Sequence, residues 1–346
     1  MLEPFVMPDI STPAGWLPLA FALVMALAML AYVILDGYDL GVGILLGRAA
    51  SDAEKDTMVA SIGPFWDANE TWLVLGVGVL LVAFPMAHGV ILGALYLPVA
   101  AMLIALTLRG VAFDFRVKAR ANHKALWDRA FSFGSILAGW SQGFMLGSLI
   151  TGFKDEVWSY LFSALIGLCL LAAYCLLGAG WLIMKTEGSL QRSAVSWARS
   201  SLGLTGLGIA AISAATPLVS ARIFDKWFSL PHIVVLLPIP VVTLVLFGLI
   251  ARSLKRLPLR LQHNNPYGIA VPFAGTLGIF LLAFYGLAYS LFPWLVIDRI
   301  TLWQAASSVE ALQVEFYGAV VVLPVIVGYT VYSYRVFWGK STALKY

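Results

Sequence analysis

Apolar residues in this chain come in long unbroken runs, without the alternation that marks an element wetted on one face. The runs fall at 16–46, 71–85, 87–113, 130–152, 157–184, 201–221, 231–252, 269–293 and 315–338. A helix needs about 20 apolar residues to cross the hydrocarbon core of a bilayer. The pattern therefore predicts an all-α polytopic membrane protein with about nine transmembrane helices. The second run is the shortest. It reaches spanning length only if the stretch around Glu70 extends it, and Pro85 sets a turn between it and the third run. No connecting loop is long enough for an extramembrane domain. The expectation is a single membrane domain, 1–346, with a first four-helix bundle over 16–152, a second over 157–293 and a peripheral helix over 315–338.

Composition agrees with that reading. Of the 346 residues, 61% are hydrophobic and 12% charged, against about 25% charged in soluble domains. The 12 tryptophans and 13 tyrosines suit a bilayer interface, where one side of the ring is apolar and the other wet. Cationic side chains then fix an orientation. Of the 22 lysines and arginines, 18 fall in the loops after runs 1, 3, 5 and 7 and in the C-terminal tail, and 4 fall on the other side. Basic residues collect on the cytoplasmic face, so the N-terminus is expected outside and the C-terminus in the cytoplasm. The net charge of +4 is spread over short loops and gives no nucleic-acid signal. Cys169 and Cys175 lie inside one apolar run and read as packing residues. The segment before Trp16 has no basic residue, so no cleavable leader is expected.

Acids inside a membrane are costly and point to function. Asp36 and Asp39 sit in Leu35-Asp36-Gly37-Tyr38-Asp39-Leu40-Gly41-Val42-Gly43. Three residues apart, they share a helix face, and the glycines allow a second helix to approach closely. The plainer reading is that headgroup water wets both acids. A second cluster follows in Gly63-Pro64-Phe65-Trp66-Asp67-Ala68-Asn69-Glu70-Thr71-Trp72. Asp67 can cap the second helix, with Glu70 completing a capping box. Alternatively, Asp36, Asp39, Asp67 and Glu70 together form a relay carrying protons inward from the cytoplasm.

Arg109 and Asp114 close the third run. Arg109 is read either as a charge partner for these acids or, more plainly, as an anchor snorkelling to the headgroups. The four histidines, His88, His123, His232 and His263, are expected near the two surfaces and unpaired at mid-depth. Haem needs an axial His, Met or Cys, so no haem or other metal site is expected on this chain. It also lacks a phosphate-binding loop and a dinucleotide fingerprint.

Four stretches, in order and spacing, resemble subunit II of the cytochrome bd-type quinol oxidases. They are Asp36-Gly37-Tyr38-Asp39-Leu40-Gly41-Val42-Gly43, Pro64-Phe65-Trp66-Asp67-Ala68-Asn69-Glu70-Thr71-Trp72, Phe84-Pro85-Met86, and Arg109-Gly110-Val111-Ala112-Phe113-Asp114-Phe115-Arg116. The resemblance is dense over the first third of the chain and elsewhere rests on hydropathy and length. It implies a respiratory complex in the bacterial cytoplasmic (inner) membrane that oxidises quinol and reduces dioxygen to water. Two b-type haems and one d-type haem would sit on a partner, subunit I, with a small single-helix accessory subunit as a further partner. It implies ubiquinone or menaquinone as the quinone and surrounding membrane lipid. By the same resemblance, Asp67 lines a cytoplasmic proton path with Asp36 beside it, Trp72 stands by an oxygen route, and Trp66 is a candidate quinone contact. Position 70 is Glu where some members carry Gln. Shorter chains with Asp-Gly-Tyr-Asp resemble the cyanide-insensitive branch.

Two other readings use the same residues. A proton-coupled secondary transporter would need broken helices at matching points of two halves, and no such pair is evident. A purely structural assembly subunit would give the acids no role in transport.

Overall fold

The computed structural model describes residues 7–118, 120–219, 221–263 and 265–341. Helix α1 (Pro13–Leu45) starts at a proline, whose missing N–H costs nothing in a first turn, and runs for 33 residues. At 1.5 Å per residue that is about 50 Å, longer than the hydrocarbon core, so α1 must tilt or project beyond it. A short 3₁₀ turn over Leu46–Arg48 ends it. The polar helix α2 (Asp52–Ile62) follows. The Ser51 hydroxyl accepts from the Glu54 N–H, and Glu54 accepts from the Ala50 N–H.

Helices α3 (Trp66–Ala83), α4 (Pro85–Ala94), α5 (Tyr96–Lys118), α6 (Ala121–Ile150), α7 (Val157–Lys185) and α8 (Gly188–Val219) come next. After them lie α9 (Ala221–Phe228), α10 (His232–Leu236), α11 (Pro238–Gln262) and α12 (Val271–Leu291). A small antiparallel hairpin, β1 (Trp294–Val296) with β2 (Ile300–Thr301), then leads through α13 (Leu302–Ala305) to α14 (Val309–Val336).

Among the described residues, seven helical segments are long and apolar enough to cross a membrane. They are Pro13–Arg48, Trp66–Ala83, Tyr96–Arg116, Val157–Lys185, His232–Gln262, Val271–Leu291 and Val309–Val336. The protein is a multi-pass membrane protein. Two further helices, α6 with 30 residues and α8 with 32, lie among them but carry more polar side chains. Several boundaries differ from the hydropathy runs. The second helix begins at Trp66, because the polar Asp67–Thr71 stretch is itself helical. The seventh run extends through Arg252–Arg260 to Gln262, since long basic side chains are good helix formers and leave the apolar core by their own length.

Helix α1 is central and packs against α3, α6, α7, α12 and α14. Helix α7 joins α6 on one side to α8 and α12 on the other, while α11 packs on both α8 and α12. Helices α1 and α7 touch backbone to backbone. A Cβ added to Gly178 would lie 2.5 Å from Gly41 C and Val42 N, so the crossing admits only glycine. One end of the molecule is tied by Trp181 Nε1 donating to Ser61 O at 3.2 Å and Lys185 Nζ donating to Phe337 O at 2.8 Å. The opposite end is tied by Trp303 Nε1 donating to Gly15 O at 2.9 Å and Ser307 N to Ala83 O at 2.9 Å.

Candidate functional site

Toward the Lys185 end, α1, α3, α5 and α14 enclose a polar cluster in an otherwise apolar interior. Arg109 on α5 is fully buried, and its Nη1 donates to Asp36 Oδ1 at 2.8 Å and to Glu70 Oε1 at 2.9 Å. Its guanidinium lies 5.9 Å from the ring centres of both Trp66 and Phe131, close enough for cation–π attraction. Helix α6 comes very near here: a Cβ on Gly134 would sit 2.7 Å from Ala105 O and 3.2 Å from Arg109 Cβ. The anchor reading of Arg109 is thus corrected. Three helices wall the side chain in, and two carboxylates hold it where headgroups cannot reach.

Asp39 is equally buried but is held by neutral partners. Asn69 Nδ2 donates to Asp39 Oδ2 at 2.8 Å, and it also lies 3.0 Å from the Tyr38 hydroxyl and 3.2 Å from Leu35 O. Tyr334 on α14 donates to Asn69 Oδ1 at 3.1 Å, and its hydroxyl lies 2.6 Å from that of Tyr38. One amide therefore ties α1, α3 and α14 together. Asp36 Oδ2, Asp39 Oδ1 and Arg109 Nε and Nη2 are buried with no hydrogen-bond partner among the described residues.

Helix α3 passes from exposed to buried acid over one turn. Asp67, in its first turn, is exposed, and Glu70 is three residues further in with its side chain 28% exposed. The capping expectation is corrected as well. Phe65 occupies the N-cap position with no side-chain cap bond, because the helix starts one residue before Asp67, and Glu70 turns instead to Arg109. Asp114, on α5 beyond Arg109, is exposed. Trp66 is half-buried, with its ring 4.9 Å from that of Phe113. Trp72 is buried one helical turn and more away and packs with Ala28 and Tyr32.

Sequence reasoning left out Tyr38 and Tyr334 and gave Asn69 no role. The signal for each was a polar side chain within or beside an apolar run, with nothing local to name its partner. A second buried chain crosses α1, α6 and α7. Tyr174 donates to Gln142 Oε1 at 2.6 Å, and Gln142 Nε2 donates to Tyr32 at 2.7 Å.

A separate ionic cluster lies where α2 meets α5 and α6. Arg116 contacts Asp128 at 2.5 Å and Asp56 at 2.7 Å, Lys124 reaches Asp56 at 2.8 Å, and Lys55 reaches Asp128 at 3.0 Å. Burial disfavours the charge on Asp56, yet the hydrogen bonds from Lys124 and Arg116 outweigh it and hold its carboxyl below the usual range. No group of three or more His, Cys, Asp or Glu among the described residues is arranged to hold a metal. What the buried cluster can do is hold and pass protons between carboxyls, hydroxyls and an amide, with one guanidinium balancing their charge.

Comparison with known proteins adds identity to this geometry. The chain is 28% identical over 338 residues to cytochrome bd ubiquinol oxidase subunit 2 of Bacillus subtilis, a match covering 91% of this chain and 94% of that one. It is 26% identical over 367 residues to cytochrome bd-I ubiquinol oxidase subunit 2 of Escherichia coli, covering 92% and 94%. Its fold superposes on a chain of the bd oxidase structure from Geobacillus thermodenitrificans with a TM-score of 0.75 at 18% identity, covering 93% of this chain and 99% of the other. The family model for cytochrome bd terminal oxidase subunit II matches residues 17–337. The chain belongs to the cytochrome bd terminal oxidase subunit II family.

Proposed function

We propose that this chain is the haem-free subunit II of a bd-type quinol:oxygen oxidoreductase in a bacterial inner membrane, and that it supports subunit I and supplies it with protons and oxygen. Family membership makes it one subunit of a quinol oxidase, an oxidoreductase complex. The haems belong to the partner, where they carry the oxygen chemistry, with two of b type and one of d type. The quinone is ubiquinone or menaquinone, and a small single-helix subunit is a further partner. In this reading α6 and α8 cross the membrane too, giving nine spans as two four-helix bundles, with α14 outside them. The basic end, with Lys185 and Arg116, faces the cytoplasm.

Quinol oxidation releases protons at the outer side, and oxygen reduction takes protons from the inner side. The route proposed for the latter begins at Asp67 and passes through Glu70 to Asp39, with Asp36 and Arg109 beside it and Asp114 at the mouth. The observation that carries it is the gradient along one helix turn, from exposed Asp67 to half-buried Glu70 to the fully buried acids of α1. Buried Trp72 is assigned to the oxygen route, since dioxygen partitions into apolar packing. Trp66 is assigned to a quinone contact. Asp67→Asn in the purified complex tests the proton route: oxygen consumption at saturating quinol is expected to fall at least tenfold. Unchanged consumption would end the route and leave the supporting role.

A further inference from the structure

We propose that Tyr32 is a positioning residue that keeps Asp36 as the standing counter-ion of Arg109, leaving Glu70 and Asp39 as the carboxyls that exchange protons. This rests on the proton-route reading above and sharpens it.

Hydrogen-bond direction carries the argument. Tyr174 and Tyr32 are both buried, and Gln142 lies between them. Tyr174 gives its one hydroxyl proton to Gln142 Oε1 at 2.6 Å. The amide is thereby fixed, and its Nε2 donates to the Tyr32 oxygen at 2.7 Å. A hydroxyl that accepts from an amide still has one proton to give. Tyr32 lies on α1 four residues before Asp36, so the two share a helix face. Asp36 Oδ2 is buried with no other partner, while Asp36 Oδ1 is taken by Arg109 Nη1. The chain Tyr174–Gln142–Tyr32 thus leaves Tyr32 with one hydroxyl proton to give, one helical turn from the carboxyl of Asp36. A carboxylate with a guanidinium on one oxygen and a directed phenol on the other has both sides supported as an anion.

The remaining acids stand differently. Asp36, Asp39 and Glu70 share one guanidinium. The groups acting on Asp36 are Arg109 of α5, Glu70 of α3, Tyr174 of α7, Tyr334 of α14, and Tyr32 and Asp39 of its own helix. Those acting on Asp39 are Arg109, Asp36, Glu70, Tyr38, Tyr334 of α14 and the amide of Asn69. Those acting on Glu70 are Arg109, Asp36, Asp39 and Asp67. Asp39 has only neutral hydrogen-bond partners, and Glu70 shares the Arg109 nitrogen with Asp36 while its side chain is 28% exposed, close to exposed Asp67. These two have room for a proton.

Infrared difference spectra of the intact complex, stepped in pH, test this. Asp39→Asn and Glu70→Gln should each remove a carboxylic-acid carbonyl signal present in the native complex. Asp36→Asn should remove none. Tyr32→Phe, which keeps the ring and its packing, should add a new carbonyl signal that the Tyr32→Phe/Asp36→Asn double variant lacks. A native signal lost in Asp36→Asn, or a Tyr32→Phe spectrum identical to the native one, overturns the proposal. So does the absence of any loss in both Asp39→Asn and Glu70→Gln. If Asp36→Asn does not assemble, Tyr32→Phe decides alone, by the presence or absence of its new signal. These spectra do not depend on turnover, so a failure of Asp67→Asn to slow oxygen consumption retires the route without touching this result.

Discussion

Arg109 and Asp36, 73 positions apart in sequence, meet at 2.8 Å with both side chains shut off from solvent. Removing Arg109 leaves Asp36 as a buried charge without its cation, which costs about 3–5 kcal/mol. Arg109→Leu is therefore expected to lower the yield of assembled complex sharply and its melting temperature by several degrees. Arg109→Lys should recover only part of the loss, because lysine's compact ammonium is more strongly hydrated and so costs more to bury than a guanidinium. Size-exclusion chromatography of the solubilised complex with a thermal melt reads both variants, and a fully stable Arg109→Leu complex would contradict the assignment.

The glycine crossing of α1 and α7 makes a second prediction. A methyl at Gly178 would meet backbone atoms of Gly41 and Val42 at 2.5 Å, and backbone cannot rotate out of the way. Gly178→Ala should cost about 1–3 kcal/mol, in the range for overpacking. Gly203→Ala, with no atom within 4 Å of the added carbon, is the matched control. Equal melting curves for the two variants would show that the helices do not cross there.

The ionic cluster on α2 has a definite acid dependence. Asp56 is more readily ionised in the fold than in the unfolded chain, through Lys124 and Arg116 against the opposing effect of burial. Its contribution is complete above the unfolded value near ~3.9 and is lost as pH falls through the lower folded value. Melting temperature should thus fall on acidification below about pH 4. Asp56→Asn should lie below the native protein at pH 7 and converge with it in acid. Parallel curves across that window would remove Asp56 from the account.

Tyr334→Phe tests the tie between α14 and the interior. It deletes the hydrogen bonds to Asn69 and Tyr38 and nothing else of the ring. A net loss of about 0.5–1.5 kcal/mol per hydrogen bond is expected. It should appear as faster hydrogen exchange in α3 around Asn69 and earlier proteolytic release of α14. Native-like exchange at Asn69 would argue against the link.

How far the sequence led varied by element. Spanning helices were legible because hydrocarbon selects long apolar runs whatever the tertiary packing, and seven segments meet that standard on structure as well. Helices α6 and α8 were visible as apolar runs over only part of their length, since their ends are polar. The acids of α1 and α3 stood out by their chemistry alone. Their pairing did not, because pairing is a property of neighbours. Tyr334 reaches Asn69 across 265 positions and Gln142 reaches Tyr32 across 110, and no local period carries such information. Arg109 was open to two readings for the same reason: an arginine near a helix end looks alike whether it meets headgroups or carboxylates. The partners that separate them, Asp36 and Glu70, lie on two other helices.

The hydrogen bond from Tyr334 to Asn69 also has a meaning in time. Ribosomes deliver α1 and α3 to the membrane long before α14 exists, so the amide beside Asp39 waits with one acceptor unanswered. The last helix completes the first. An unfinished chain therefore carries an unanswered polar atom within its greasy interior until Tyr334 arrives.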